Sequence, residues 1–203
     1  MDERIIRALD VVLAAVLLAF MAPLLVIVAA LIAATDPGPV FFAHRRVGRN
    51  GTMFYCLKFR SMALNSDDRL RELLERDPRA REEWRRDHKL MNDPRITPIG
   101  RFLRKSSLDE LPQLLNVLVG DMSLVGPRPI TMDESPRYGR YFSHYCSVTP
   151  GLTGIWQVSG RSNTSYRRRV AMDVCYVRKQ SPTLYISILM RTVPAVLLAR
   201  GSG

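Results

Sequence analysis

The sequence has few of the residues that build disulfide frameworks and zinc sites. Its 203 residues include three cysteines, Cys56, Cys146 and Cys175, and none of them belongs to a CxxC pair. An odd number of widely spaced thiols argues against a disulfide framework and favours a reducing compartment. The three histidines are scattered without ligand spacing, so a histidine-rich metal cluster is not expected either.

Acidic residues are scarce relative to basic ones. The chain has 30 lysines and arginines against 19 aspartates and glutamates, which gives a formal net charge of +11. Such an excess favours a polyanionic partner: nucleic acid, anionic lipid headgroups or a phosphate-bearing substrate. A nucleic-acid surface would show aromatic residues interleaved with the basic ones, and the sequence has no such pattern. No nucleic-acid partner is therefore predicted.

One long apolar run stands near the start of the chain. Residues 11–34 are all apolar or proline, which is long enough to span a hydrocarbon core of about 30 Å and too long for a signal peptide. Pro23 lies near the middle of the run and would remove a helical hydrogen bond there. Arginines lie on both sides, so positive charge does not set an orientation. The residues alone leave two topologies open, a kinked spanning helix and a helix that bends at Pro23 and returns.

Local patterns predict the elements that follow. Residues 39–48 and 51–62 are typical of two short strands around the turn Arg49–Gly51, and residues 64–90 predict one or two solvated helices interrupted at Asp77–Pro78. A further helical run is predicted over 100–122, a loop over 123–129, and an amphipathic segment that suits a membrane interface over 184–200.

The adjacent carboxylates Asp109 and Glu110 are the central candidates for chemistry. Two neighbouring carboxylates can divide the work at one phosphate, because one can attack phosphorus while the other holds a divalent cation. The alternative is structural, since Ser107 and Glu110 also match a capping box at a helix N-terminus. Pro112 fits neither an uninterrupted helix nor a simple cap, and it indicates local distortion beside the carboxylates.

Two basic motifs are candidates for phosphate binding. In Gly126-Pro127-Arg128-Pro129 the prolines restrict the backbone on both sides of Arg128, which leaves a preset guanidinium suited to a phosphate. Lys58 and Arg60 alternate with apolar residues and would share one face of a strand. The alternatives are a proline-rich turn with an exposed arginine and ordinary surface charge.

Taken together, these motifs resemble a known family. The order of GTMFYCLKFRSM, NDPRITPIGRFLRKSSLDELPQLLNVLVGDMSLVGPRP, PGLTGIWQVSGR and DVCYV closely resembles the bacterial sugar transferases, monotopic phosphoglycosyl transferases that begin exopolysaccharide and O-antigen synthesis. The resemblance covers nearly the whole chain. A catalytically inert scaffold would be expected to lack the Asp-Glu pair or Arg128, and this chain has both.

The resemblance implies roles for individual residues. Asp109 matches the nucleophile that attacks a UDP-sugar and releases UMP, and Glu110 matches a magnesium ligand. The residues that it assigns to substrate binding are Lys58, Arg60, Arg104, Pro127 and Arg128.

The same resemblance implies an α+β, mainly helical fold at the cytoplasmic face of the bacterial inner membrane. Residues 1–36 would form a re-entrant helix that breaks at Pro23, and residues 37–203 a catalytic domain with short strands and interfacial amphipathic helices. The implied partners are a UDP-sugar, with galactose or glucose favoured, undecaprenyl phosphate, Mg²⁺ and membrane phospholipids, with a homodimer as an alternative to the monomer.

The chain departs from the family pattern at two places. The break in the membrane helix reads Ala22-Pro23 where the family has Ser-Pro. The family also places an aspartate about a dozen residues beyond the DxxYV motif, and residues 183–186 contain no acid here, although Asp173 is present.

Overall fold

The computed structural model describes residues 3–87, 90, 93–160 and 164–197. The fold is mainly helical, with 66% of the described residues in helix, and it includes small sheets. The helices and strands follow one another as α1 (Glu3–Thr35), β1 (Phe41–Val47), β2 (Met53–Phe59), α2 (Ser66–Arg76), α3 (Pro78–Asp87), α4 (Pro98–Ser106), α5 (Gln113–Val119), β3 (Ser123–Val125), α6 (Phe142–Cys146), β4 (Gly151–Thr153), α7 (Ile155–Ser159), α8 (Tyr166–Lys179) and α9 (Pro182–Leu197).

Helix α1 is long, apolar and continuous through Pro23, so the helix break predicted at Pro23 is not present in the structure. By length and composition it is able to cross a membrane, and only 11% of its most apolar window is buried. Its buried residues recur on one face at helical spacing, and they are Ile6, Asp10, Ala14, Val28 and Ile32. The helix therefore packs on the rest of the protein along one stripe and leaves a large apolar surface exposed, which points to membrane association.

Both ends of α1 contact the remainder of the chain. Near the start, the Arg7 guanidinium donates hydrogen bonds to the carbonyl oxygens of Val117 and Leu118 at 2.5 and 2.7 Å. Near the end, one apolar cluster joins α1 to β2 and α4 through Val28, Ile32, Phe59 and Leu103. The beginning and the end of the helix are thus held by the same body.

A buried carboxylate fastens the first turns of α1. Asp10 Oδ1 accepts hydrogen bonds from Ser123 Oγ at 3.0 Å, Leu124 N at 2.8 Å and the Tyr185 hydroxyl at 2.6 Å. These contacts join α1, β3 and α9. The segment 183–186, which lacks the acid expected there, is thereby supplied with a carboxylate from α1.

Helix α9 confirms the predicted helical tail, although it begins at Pro182 and contains Pro194. Residues 198–200, the last part of the predicted segment, lie outside the described residues.

The predicted hairpin is confirmed, with strands shorter than expected. Strands β1 and β2 pair antiparallel from Phe41 opposite Phe59 to Val47 opposite Met53. In the connection Asn50 and Gly51 both take positive φ, 57° and 75°. Asparagine and glycine tolerate that region better than other residues, which explains why the chain reverses there.

The interruption of the charged helices at Asp77–Pro78 is also confirmed. The Asp77 carboxylate accepts hydrogen bonds from the amides of Arg79 and Ala80 at 2.8 and 3.3 Å, so it caps the first turn of α3. Residues 88 and 89, near the end of the predicted segment, lie outside the described residues.

The single helical run predicted over 100–122 is wrong. Helix α4 ends at Ser106, Ser107 adopts a left-handed conformation with φ of 59°, and Leu108–Glu110 form a 3-10 turn before α5 begins at Gln113. The capping-box alternative is wrong as well, because the Ser107 side chain caps nothing. Ser107 instead redirects the chain, and the two carboxylates lie in the short turn that results.

The loop predicted over 123–129 also needs correction, because Ser123–Val125 form strand β3, parallel to β4. The two backbones approach closely just beyond it: a Cβ on Gly126 would lie 2.7 Å from the Thr149 carbonyl oxygen and 2.8 Å from Gly151 N. A sequence pattern of three residues is too short to predict such a pairing, since both partners are needed to define it.

Candidate active site

The site is built where the 3-10 turn and α5 meet β2. The side-chain amide of Asn116 on α5 accepts a hydrogen bond from Leu57 N at 3.0 Å and donates one to the Tyr55 carbonyl at 2.8 Å. Asn116 thereby forms hydrogen bonds with backbone groups on the edge of β2 that faces away from β1. These hydrogen bonds, called the Asn116 clasp below, hold α5, and with it the preceding carboxylates, beside the strand that carries Lys58.

Glu110 lies between two cations. Its Oε1 accepts hydrogen bonds from Lys58 Nζ at 2.6 Å and from the Arg128 guanidinium at 3.2 Å. Burial raises the pKa of Glu110, but the charges and hydrogen bonds of Arg128 and Lys58 outweigh burial and bring that pKa to about 2. Glu110 is therefore a carboxylate throughout the neutral pH range.

Asp109 lies in the opposite situation. It is 8% exposed, and no described residue donates a hydrogen bond to its carboxylate. Burial and the neighbouring charge of Glu110 raise the pKa of Asp109, while Lys58, Arg104 and Arg128 lower it from a distance. A carboxylate without hydrogen-bond donors keeps its lone pairs available for attack on an electrophile, which suits a nucleophile.

The loop that presents Arg128 is pinned from both sides. Gly126 N donates to the Thr153 carbonyl at 2.9 Å, and Gly151 N donates to the Pro127 carbonyl at 2.7 Å. Pro127 is fully buried, whereas the Arg128 side chain is 38% exposed and reaches Glu110. The geometry thus agrees with the interpretation that the prolines preset the direction of Arg128.

Arg104, on α4, lies near Asp109. Its Nε donates to Ser61 Oγ at 2.9 Å. Burial lowers the pKa of Arg104, and the nearby charges of Asp109 and Asp93 oppose that shift. Arg104 is therefore close enough to bias Asp109 electrostatically without bonding to it.

Arg60 does not join this cluster. Its guanidinium donates to the carbonyl oxygen of Asp36, directly after α1, and lies 3.5 Å from the Asp36 carboxylate. Of the residues predicted from sequence, the structure brings Lys58, Arg104, Pro127 and Arg128 to the carboxylate pair, and it places Arg60 at the exit of α1.

Sequence reasoning missed several residues that line the cleft with Glu110, among them Arg46, Cys56 and Gln113. In the hairpin Arg46 lies directly opposite Phe54, so Arg46, Cys56 and Lys58 share one face of the sheet. The hairpin register would have revealed Arg46, because the turn at 49–51 sets which residues lie opposite each other.

The oxygen ligands present would suit a magnesium ion if a substrate supplied further ligands. Glu110 uses Oε1 for both cations, and no described residue donates a hydrogen bond to its Oε2. No cluster of three or more metal-ligating side chains occurs among the described residues. Mg²⁺ commonly binds through one or two carboxylates together with substrate phosphates, so a single carboxylate oxygen is a sufficient protein ligand.

Asp173, the aspartate of the DxxYV motif, lies away from the carboxylate pair. It is buried on α8 and accepts a hydrogen bond from the Tyr138 hydroxyl at 2.7 Å. Burial raises the pKa of Asp173 to about 7. Its charged neighbour is Arg169 rather than the Asp109–Glu110 pair.

Comparison with known proteins shows similarity over nearly the whole chain. The sequence profile described as bacterial sugar transferase matches residues 1–199. The chain belongs to the bacterial sugar transferase family. The expectation drawn from the SLDELPQ-to-GPRP block is therefore confirmed.

Named members of the family show how far the similarity extends. The exopolysaccharide production protein ExoY of Rhizobium meliloti is 50% identical over 196 residues, which cover 97% of this chain and 87% of that protein. The undecaprenyl-phosphate galactose phosphotransferase of Salmonella typhimurium is also 50% identical over 196 residues, but they cover 41% of that longer protein. The UDP-glucose:undecaprenyl-phosphate glucose-1-phosphate transferase of Caulobacter vibrioides is 41% identical over 199 residues, covering 94% and 69% respectively.

Proposed function

We propose that this sugar transferase moves a hexose-1-phosphate from a UDP-sugar to undecaprenyl phosphate, and so begins the assembly of an exopolysaccharide or O-antigen at the membrane. The observation that carries the proposal is the pair formed by Asp109, buried and without a hydrogen-bond donor, and Glu110, held between Lys58 and Arg128. The similar proteins of Salmonella typhimurium and Caulobacter vibrioides are both named for transfer to undecaprenyl phosphate, and the second is also named for UDP-glucose.

In the first half-reaction Asp109 acts as the nucleophile. One carboxylate oxygen forms a bond to the β-phosphorus of the UDP-sugar, and the bond from that phosphorus to the bridging oxygen breaks. The electron pair leaves with UMP, and the sugar phosphate stays on the enzyme as an acyl phosphate. Lys58 and Arg128 lie where they can hold the oxygens of the attacked phosphate.

In the second half-reaction a phosphate oxygen of undecaprenyl phosphate attacks the phosphorus of the acyl phosphate. The bond to Asp109 breaks, the carboxylate is regenerated, and the product is a polyprenyl diphosphosugar. One carboxylate thus serves both transfers, which predicts that UMP leaves before the lipid acceptor reacts.

Magnesium is part of the proposal. Glu110 would hold the ion through the carboxylate oxygen that the two cations leave unbonded, and the ion would neutralise charge on the phosphate oxygens. A pKa of about 2 keeps Glu110 in the charged form that a hard cation requires.

The experiment that tests the function is the release of UMP from purified enzyme. We expect UDP-galactose or UDP-glucose to give about one UMP per enzyme without lipid, and continuous turnover once undecaprenyl phosphate is added. Release should stop when magnesium is chelated. A strict need for lipid before the first UMP appears would contradict a covalent intermediate, and a screen of UDP-sugars identifies the donor.

We also propose that α1 re-enters rather than spans the membrane, with the catalytic domain on the cytoplasmic face of the inner membrane. Support comes from the two ends of α1. Arg7 and Asp10 contact α5 and β3, while Val28 and Ile32 contact β2 and α4. A helix perpendicular to the bilayer would separate its ends by roughly 30 Å of hydrocarbon, which is incompatible with contacts from both ends to one soluble body.

Cysteine labelling in intact cells tests this topology. A cysteine at position 2, in a background without native cysteines, should resist an impermeant reagent. Pro23→Leu should favour the spanning orientation and expose position 2 in part of the population, because leucine restores the backbone donor that proline lacks. Ready labelling of the protein that retains Pro23 would show a spanning helix instead.

A further inference from the structure

Arg46 faces the cleft from β1, and its protein contacts are poor. Its side chain is 20% exposed, and its guanidinium lies 3.5 Å from the Pro129 carbonyl oxygen and 3.4 Å from Glu134 Oε1. Charge-assisted hydrogen bonds of this type normally measure about 2.7–2.9 Å. The guanidinium is therefore largely removed from water, and its contacts with the protein are too long for strong hydrogen bonds.

The acid nearest to Arg46 is already engaged by other groups. Glu134 Oε1 also accepts a hydrogen bond from the Thr131 hydroxyl at 3.2 Å, and Glu134 Oε2 accepts one from the Tyr166 hydroxyl at 3.2 Å. Glu134 therefore serves mainly to organise the segment that begins at Thr131. It offsets only part of the Arg46 charge.

The cleft carries surplus positive charge. Arg46 shares it with Lys58 and Arg128, and Glu110 is bonded to the latter two but not to Arg46. Arg46 and Arg128 line the same cleft. Burial lowers the pKa of Arg46, and the charge of Arg128 lowers it further. A partly buried cleft lined by three cations is suited to an anion with more than one phosphate group.

We propose that Arg46 binds the phosphate of the departing nucleotide, the α-phosphate that leaves as UMP. The assignment rests on the proposed function, and it follows from where the three cations lie relative to the Asp109–Glu110 pair. The attacked β-phosphate must lie beside Asp109 and Glu110, within reach of Lys58 and Arg128. The α-phosphate lies one bridging oxygen further away, and Arg46 is the cation in the described part of the cleft that no catalytic carboxylate holds.

The proposal assigns Arg46 a role in leaving-group stabilisation. When the bond between the β-phosphorus and the bridging oxygen breaks, negative charge accumulates on the α-phosphate. A planar guanidinium can meet two of its oxygens at once, which a lysine ammonium cannot do in the same way. The interaction therefore favours both binding of the nucleotide and its departure as UMP.

The test measures the binding of UMP itself to the purified full-length enzyme. Arg46→Ala should weaken UMP binding about 10- to 100-fold, the loss expected for a charge-assisted contact. Arg45→Ala is the matched control, because Arg45 is the exposed neighbour on the opposite face of β1 and its removal changes the net charge equally. That variant should bind UMP within about twofold of wild type.

Two further variants separate ligand binding from a structural role. Glu134→Gln removes the acid beside Arg46, and it should leave UMP binding at least as tight as in wild type. Arg46→Lys should recover part of the affinity, because it keeps the charge and loses the fork. Thermal unfolding of each variant checks that the fold persists.

The outcomes separate the inference from the function on which it rests. If wild type releases UMP from a UDP-sugar but Arg46→Ala binds UMP as tightly as Arg45→Ala, the role of Arg46 is wrong and the function stands. If Glu134→Gln weakens UMP binding as much as Arg46→Ala does, the ion pair is structural and the assignment is wrong. If wild type neither binds UMP nor releases it, the proposed function itself fails.

Discussion

The carboxylate turn and the helical pair α2–α3 are both rich in opposite charges, yet those charges are placed very differently. In α2, Arg71 and Asp68 form an ion pair at 2.9 Å with side chains that are 69% and 64% exposed. Lys58 and Glu110 pair at 2.6 Å with side chains that are 19% and 21% exposed. Water screens the first pair and largely fails to reach the second, so similar chemistry carries very different energetic weight.

The difference teaches that a high density of charge does not by itself locate a functional site. Residues 64–90 contain the densest charge in the sequence, and the charged side chains described there, up to residue 85, are mostly exposed, as the sequence predicts. The site is distinguished by charges that are withdrawn from water and incompletely neutralised by one another. Substitutions in the two regions should therefore have effects of very different size.

The largest effect is expected for Asp109→Asn. An amide cannot form the acyl phosphate, so both UMP release and the covalent adduct should disappear. Intact-protein mass spectrometry after mixing with the UDP-sugar provides the measurement. Asp68→Asn makes the same chemical change in the exposed region and should form the adduct normally. A sugar-phosphate adduct of full yield on Asp109→Asn would falsify the assignment of the nucleophile.

The next largest effect is expected for Glu110→Gln. The substitution removes the charge between Lys58 and Arg128 and weakens the proposed magnesium ligand, so the rate of UMP release should fall about 100-fold or more. The magnesium concentration needed for half-maximal rate should rise. The matched change in the exposed helices, Glu75→Gln, should alter neither quantity. A normal magnesium dependence in Glu110→Gln would assign the ion to other ligands.

A smaller effect concerns the pH dependence of the first UMP release. Attack requires ionised Asp109. Burial and the charge of Glu110 raise the pKa of Asp109, so the rate should begin to fall, as the pH is lowered, at a higher pH than is usual for an aspartate. Glu110, with a pKa of about 2, does not titrate in that range. Arg104 lowers the pKa of Asp109, so Arg104→Met should raise that pKa and move the acid limb to higher pH.

Burst measurements of UMP across the acid range provide the test of this shift. Arg101 lies on the same helix and is exposed, which makes Arg101→Met the matched control. An acid limb that stays in place or moves to lower pH in Arg104→Met would show that Arg104 does not act on Asp109.

The smallest effect is expected for Arg71→Ala in α2. Both side chains of the Arg71–Asp68 pair are mostly in water, so the free energy of unfolding should change by no more than about 0.5 kcal/mol. UMP release should match that of wild type. Chemical denaturation and the UMP assay check both statements, and a large loss of either would give α2 a role that its exposure does not suggest.

Sequence patterns predicted the elements whose determinants are local. The turn at Asn50–Gly51 and the interruption at Asp77–Pro78 depend on a few neighbouring residues, and both are confirmed. Most of the carboxylate site was reached through the family resemblance, because Asp109 and Glu110 alone also matched a helix cap. Their actual setting depends on Lys58, which lies more than fifty residues earlier.

What the sequence did not reveal depends on partners that are distant along the chain. Arg60 was grouped with Lys58 by alternation, but the strand ends at Phe59, and Arg60 turns to the carbonyl of Asp36. The break at Ser107 requires a positive φ at a residue that rarely adopts one, so propensity favoured an uninterrupted helix. Arg46 can be recognised as a residue of the cleft only from the hairpin register, which places it opposite Phe54.

The clasp formed by Asn116 has a consequence for solubility. A two-stranded ribbon exposes a row of amides and carbonyls on each outer edge, and such edges recruit further strands from other chains. On the outer edge of β2, Leu57 N and the Tyr55 carbonyl are already bonded to the Asn116 side chain. A foreign strand would have to displace that amide before it could add to the ribbon, so one side chain both positions the carboxylate turn and protects this edge against edge-to-edge aggregation.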